Sequence, residues 1–143
     1  MELKVCLDTN VFITIKNKEE DFESCIKILN AIEEKRIEGS VSTIVLAEVL
    51  VGFYIKNEKN EANRFLSSAI LNFDVVPVNL DITQMAAQIR VQYGIKLPDA
   101  IITASSINSN SDYFITYNKT MLKKLEIQIL SPKEFVNNHM NRI

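Results

Sequence analysis

Histidine is nearly missing from this chain, tryptophan is absent, and only two cysteines occur among 143 residues. Nucleophilic catalysis of the Ser–His–Asp or Cys–His kind needs an imidazole beside the nucleophile. The one candidate, His139, lies in the polar tail "NNHMNRI" and reads as a surface residue. Cys6 and Cys25 fall in apolar segments and read as buried thiols. A disulfide is not expected, and with one histidine to join them a zinc site is not either. Three glycines and three prolines leave no linker, repeat or low-complexity tract, so residues 1–143 read as a single domain. No apolar run approaches the roughly 20 residues that span a bilayer. Glu2 and Lys4 interrupt the start, so no signal peptide is seen and the cytoplasm is the expected compartment.

What is present is the composition of a soluble globular protein, 47% hydrophobic and 24% charged, long enough for one proper core. The net charge of −2 lacks the basic excess common in nucleic-acid binders. That sum hides acidic clusters in "KEEDFES" and "IEEKRIE" and a basic one in "NKTMLKK". A protein that gathers acids around a metal can look acidic and still carry cations at its rim, so net charge decides nothing.

Apolar spacing predicts a strand over 3–7, a helix over 20–36 ending near Gly39, and a short strand over 40–43 leading into a helix over 44–56. A further helix carries Phe65, Leu66 and Ile70, and "DVVPV" is a strand whose Pro77 suggests a sheet edge. Asp81 reads as the cap of a helix stopping at Gly94, and Pro98 suits the first turn of a helix over 98–109. "YFIT" and "IQIL" are buried strands, and "SPKE" opens a last helix with a capping box. Strands alternating with helices imply an α/β domain, its roughly five-stranded sheet mostly parallel and covered on both faces.

Three acids break the apolar pattern. Asp8 interrupts "KVCLDTNVFI", Glu48 is the one charge in "STIVLAEVLVGF", and Asp99 the one acid in "KLPDAIITASSI". Each alone has an ordinary explanation: Asp8 as a cap, Asp99 favouring a helix N-terminus, Glu48 on a solvated helix edge. Topology favours another. Ligands of open parallel sheets bind beyond the carboxyl ends of the strands, and all three acids fall near those ends. "TYN", residues 116–118, ends the fourth strand and can face the same crevice. Acids brought together repel unless a cation joins them, and hard oxygen donors suit Mg²⁺ or Mn²⁺.

The ordered set of motifs resembles the PIN-domain family, and within it the VapC-like toxin ribonucleases. "LDTNVFI" resembles the first motif, with Asp8; "VSTIVLAEVLVG" the second, with Ser42 or Thr43 before Glu48. "LPDAIITASS" resembles the third, with Asp99, and "DYFITYN" the fourth, with Thr116. Here Asn118 stands where the family often has Asp, which puts a second metal ion in doubt. The resemblance implies a PIN-like three-layer α/β sandwich and metal-dependent cleavage of RNA by water. It implies Asp8, Glu48, Asp99 and Asn118 as catalytic residues, with Asp8, Asp99 and Glu48 holding Mg²⁺ or Mn²⁺. Asn10, Ser42 and Thr116 would support them by orienting water or phosphate, although turn and cap chemistry accounts for them equally well.

Lys119, Lys123 and Lys124, with Lys16 and Lys18, are candidates to steer an RNA backbone, and Tyr117 to stack on a base. The apolar helix with Val45, Leu46, Val49, Leu50, Phe53 and Tyr54, and its neighbour, point to a homodimer or a groove for a small antitoxin. A haloacid-dehalogenase-type phosphatase is excluded by Asn10, which stands where that chemistry needs a second acid, and a response-regulator receiver by the lack of a paired acidic motif. The remaining rival is a degenerate PIN domain that binds RNA or protein without cutting, and Asn118 is its support.

Overall fold

Val5, Cys6 and Leu7 are wholly buried, because β1 (Lys4–Leu7) is the central strand of the sheet. The computed structural model describes residues 2–118, 125 and 127–140. A strand covered on both faces cannot alternate polar and apolar residues, which is why β1 reads as a continuous apolar run. Around it lie β2 (Glu38–Ser42), β3 (Asp74–Val76), β4 (Tyr113–Ile115) and β5 (Gln128–Leu130), in the order β3-β2-β1-β4-β5. All four pairings are parallel. The PIN-like α/β sheet expected from the sequence is the one observed, and β3 is an edge strand, as Pro77 just beyond it suggested.

The connections are helical: α1 (Thr9–Lys16), α2 (Phe22–Glu33), α3 (Thr43–Ile55), α4 (Lys59–Asn72), α5 (Leu80–Tyr93), α6 (Leu97–Asn108) and α7 (Pro132–His139). Gly94 ends α5 in the left-handed conformation, φ 67°, which a glycine adopts without steric cost. The capping box at Ser131 and Glu134 is present in full.

Three local expectations need correction. The cap of α5 is Asn79, whose Oδ1 accepts from the Ile82 amide at 2.9 Å, and not Asp81. An Asn two residues earlier outcompeted the Asp because the helix begins at Leu80. The helix expected over 20–36 is shorter, α2 running from Phe22 to Glu33 with a left-handed Asp21 before it. His139 is half-buried rather than a surface residue, its ring 4.6 Å from that of Tyr113 and 5.2 Å from that of Phe135.

Candidate active site

The strand order reverses at β1. The chain leaves β1 to build β2 and β3 on one side, and β4 and β5 are added on the other. The crevice beyond the carboxyl ends of β1 and β4 is therefore the switch point where such sheets bind ligands. A cleft of about 300 Å³ lies there, lined by Asp8, Gly94, Ile95, Lys96, Asp99, Thr103, Phe114, Thr116 and Asn118.

Asp8 follows β1 directly and is 7% exposed. Its amide donates to the Ile115 carbonyl at 3.0 Å, which fixes its height against β4. One carboxylate oxygen, Oδ1, accepts from the Thr9 amide at 2.7 Å and so caps α1. The other, Oδ2, accepts from the Thr116 hydroxyl at 2.7 Å. The capping explanation of Asp8 is thus correct for one oxygen only. A carboxylate has about four lone-pair sites, so each oxygen keeps capacity for a further partner. Burial pushes the Asp8 carboxyl above its usual range; the hydrogen bonds from Thr116 and Thr9 pull it down, and the charges of Asp99 and Glu48 push it up again.

Asp99 occupies the first turn of α6 and lines the same cleft. Glu48 lies on α3, exposed and not among the residues lining the cleft, and its Oε1 accepts from the Thr9 hydroxyl at 2.5 Å. Thr9 therefore joins two acids, its amide holding Asp8 and its hydroxyl holding Glu48. Among the described residues, no three Asp, Glu, His or Cys side chains come close enough to hold one metal ion together. The arrangement is a two-acid cleft, Asp8 with Asp99, and Glu48 is tied to its edge through Thr9. Its donors are all oxygens, a set suited to Mg²⁺, which keeps several waters and takes one or two carboxylates with substrate phosphate.

Thr116 is buried and has two partners, donating to Asp8 and accepting from the Asn118 amide at 3.1 Å. Asn118 lines the cleft and is exposed. Ser42 is fully buried and caps α3 by accepting from the Ile44 amide at 3.2 Å, so cap chemistry accounts for it. Asn10 is exposed in the first turn of α1.

Lys16 does not extend freely into solvent. Its ammonium lies 3.5 Å from Glu58 and 4.6 Å from the centre of the Phe53 ring. Lys18 is exposed, and Lys119, Lys123 and Lys124 lie outside the described residues. The Tyr117 hydroxyl sits 3.2 Å from the Cys25 sulfur, and burial raises its pKa. Sequence reasoning passed over Thr9, Lys96 and Thr103. For Lys96 the signal was its place three residues before Asp99, at the N-cap of a helix whose first turn was already assigned to the site.

A family model of the PIN domain matches residues 5–127. The chain belongs to the PIN-domain family. No curated protein matches its sequence. Among solved structures, a toxin–antitoxin complex from Klebsiella pneumoniae is 24% identical with a TM-score of 0.71, covering 90% of this chain and 97% of the other. VapBC2 from Rickettsia felis, bound to a promoter DNA fragment, is 21% identical at TM-score 0.71, covering 90% and 98%. VapC20 of Mycobacterium tuberculosis, a sarcin–ricin-loop-cleaving toxin, is 14% identical at TM-score 0.63, covering 82% and 92%. At these identities the likeness is one of fold, and the PIN fold is common to all of them.

Proposed function

We propose that this PIN-domain protein is a metal-dependent ribonuclease, a single nuclease domain over residues 1–143 acting in the cytoplasm as the toxin of a toxin–antitoxin pair. The observation that carries this reading is Asp8, a nearly buried carboxylate whose pKa is raised while it faces, with Asp99, an open cleft at the switch point of the sheet. Perturbed acids in clefts are the signature of a working site.

Asp8 and Asp99 would hold Mg²⁺ or Mn²⁺, with Glu48 at the edge. Bound there, the ion would polarise the scissile phosphate and lower the pKa of the attacking water. The chain's own residues prepare that chemistry. Thr9 and Thr116 fix the two Asp8 oxygens, so little reorganisation accompanies reaction. Glu48, held by Thr9 and open to solvent, would accept a proton from the attacking water. Asn118 would orient water or the phosphate, with Asn10 nearby at the exposed start of α1. In-line attack by water leaves a 5′-phosphate and a 3′-hydroxyl.

The toxin reading draws on the fold shared with chains of toxin–antitoxin complexes. It draws also on an apolar surface. Val45, Leu46 and Val49 are buried inside the molecule, but Val51, Tyr54 and Ile55 on α3 and Ile70 and Leu71 on α4 are exposed. A homodimer or a bound antitoxin would cover such a surface. Among the described residues, no helix is long and apolar enough to cross a membrane.

The second reading, a PIN domain that binds RNA or protein without cutting, rests on Asn118, which brings no charge to the cleft. One experiment separates them: incubation of purified protein with RNA, with and without Mg²⁺ or Mn²⁺, beside Asp8→Asn. Metal-dependent cleavage lost in the variant supports the nuclease. RNA binding with no cleavage at any metal concentration would leave only the binding module.

A further inference from the structure

A cleft that cuts RNA must admit a polyanion past its own acids. Asp8 and Asp99 line this one, and the single cationic side chain among its described lining residues is Lys96. Resting on the nuclease reading above, we propose that Lys96 is a substrate-binding residue, contacting a backbone phosphate of single-stranded RNA beside the acids.

The backbone around Lys96 is held from both sides. Gly94 ends α5, and the Arg90 guanidinium donates to the Ile95 carbonyl at 2.5 Å. Ile95 is buried, and the Lys96 carbonyl accepts the Ala100 amide at 2.9 Å, the first bond of α6. Pro98 fixes φ in that first turn. The main chain is pinned at the cleft wall while the Lys96 side chain is exposed and, among the described residues, pairs with no acid, although Asp99 is three residues away. Of the lysines expected to steer RNA, Lys16 is engaged by Glu58 and the Phe53 ring, and Lys18 is exposed but does not line the cleft. A cleft of about 300 Å³ is at the lower end for small-molecule sites, a size suited to one nucleotide unit of a strand. An ammonium three residues from Asp99 would then reach a phosphate adjoining the scissile one.

The test is fluorescence anisotropy of a short, labelled single-stranded RNA, titrated with wild type, Lys96→Gln, Lys96→Arg and Lys35→Gln in metal-free buffer across a range of salt. Lys35 is exposed between α2 and β2, at the amino end of the parallel strands and so at the sheet edge opposite the cleft. One phosphate contact contributes about 0.7 to the slope of log affinity against log salt on a single strand. Lys96→Gln should flatten the slope by about 0.7, so its deficit relative to wild type shrinks about 2.6-fold between roughly 50 and 200 mM salt. Lys96→Arg should restore the slope, Lys35→Gln should leave it unchanged, and thermal melts should be alike for all four. Under turnover, Lys96→Gln should raise KM more than it lowers kcat. A Lys96→Gln slope and affinity equal to wild type would overturn the proposal while wild-type cleavage still upheld the nuclease. A Lys96-dependent slope without cleavage would uphold the proposal and overturn the nuclease. Failure of the wild type to bind RNA would overturn the proposal, while cleavage with metal decides the nuclease separately.

Discussion

Thr116→Val removes one hydroxyl and almost nothing else, and that hydroxyl is the partner on which the buried Asp8 carboxylate depends. Valine keeps the shape of threonine, so the packing around a side chain 1% exposed survives. Two bonds are lost. The one donated to Asp8 Oδ2 at 2.7 Å involves a charge and is worth about 1.5–3 kcal/mol. The one accepted from the Asn118 amide at 3.1 Å is neutral and worth about 0.5–1.5 kcal/mol. Together they predict a loss of about 3 kcal/mol. With about 2.1 cal/mol/K of unfolding entropy per residue over 143 residues, that lowers Tm by about 10 °C. The effect must also depend on pH. Burial already raises the Asp8 pKa in the folded state and the Thr116 bond opposes that rise, so its loss lets the pKa climb further. The wild-type advantage is then full above the raised pKa and shrinks as pH falls through it, where Asp8 is protonated in both proteins. Urea denaturation across pH, in EDTA, measures this, and Asp8→Asn closes a double-mutant cycle. A Thr116→Val loss below about 0.5 kcal/mol at neutral pH, or one that does not vary with pH, would refute the claim that this bond holds the carboxylate.

Mg²⁺ or Mn²⁺ should raise Tm by binding only the folded state, by the equivalent of about 2.7 kcal/mol at 100 times Kd, and Asp8→Asn should abolish the rise in a melting scan. Gly39→Ala should destabilise by about 1–3 kcal/mol, because its Cβ would stand 2.7 Å from Ile32 Cδ1 and 2.8 Å from Phe73 Cε1; denaturant midpoints check this. The thiols should resist alkylation in the folded protein and react in urea: burial pushes Cys6 up to about 12 and raises Cys25 as well, and mass spectrometry after a timed pulse reads both.

The fold was legible because its signals were strong and local. Buried parallel strands make continuous apolar runs, and caps such as Ser131 and the stop at Gly94 mark helix ends without reference to the rest of the chain. The misreadings arose where two local signals competed. Asn79 and Asp81 could each cap α5, and only the first helical residue decides between them. His139 follows polar residues, yet the turn of α7 lays its ring over Phe135 four residues earlier and against Tyr113, a residue of β4 distant in sequence. The apolar helix α3 hid a division between residues facing inward and those left exposed. Tertiary packing alone makes that division, since apolar residues surround the helix.

The candidate acids were visible as single charges in apolar elements, and topology pointed them to one sheet edge, but the separation of Glu48 from the pair was not visible. Asp8 and Asp99 reach one cleft because one follows a strand and the other opens a helix at the same sheet edge. Glu48, a turn into α3, is held at that edge by the Thr9 hydroxyl. Asn118 then gains meaning from Lys96. With two acids and one lysine, the described wall of the cleft carries a net charge of −1, where an aspartate at 118 would make it −2. Two carboxylates suffice for one Mg²⁺ that keeps its waters, while each further acid would repel the incoming phosphate. In the proposed enzyme the exchange of acid for amide therefore weakens any second metal position and eases entry of the RNA backbone, two effects of one missing charge.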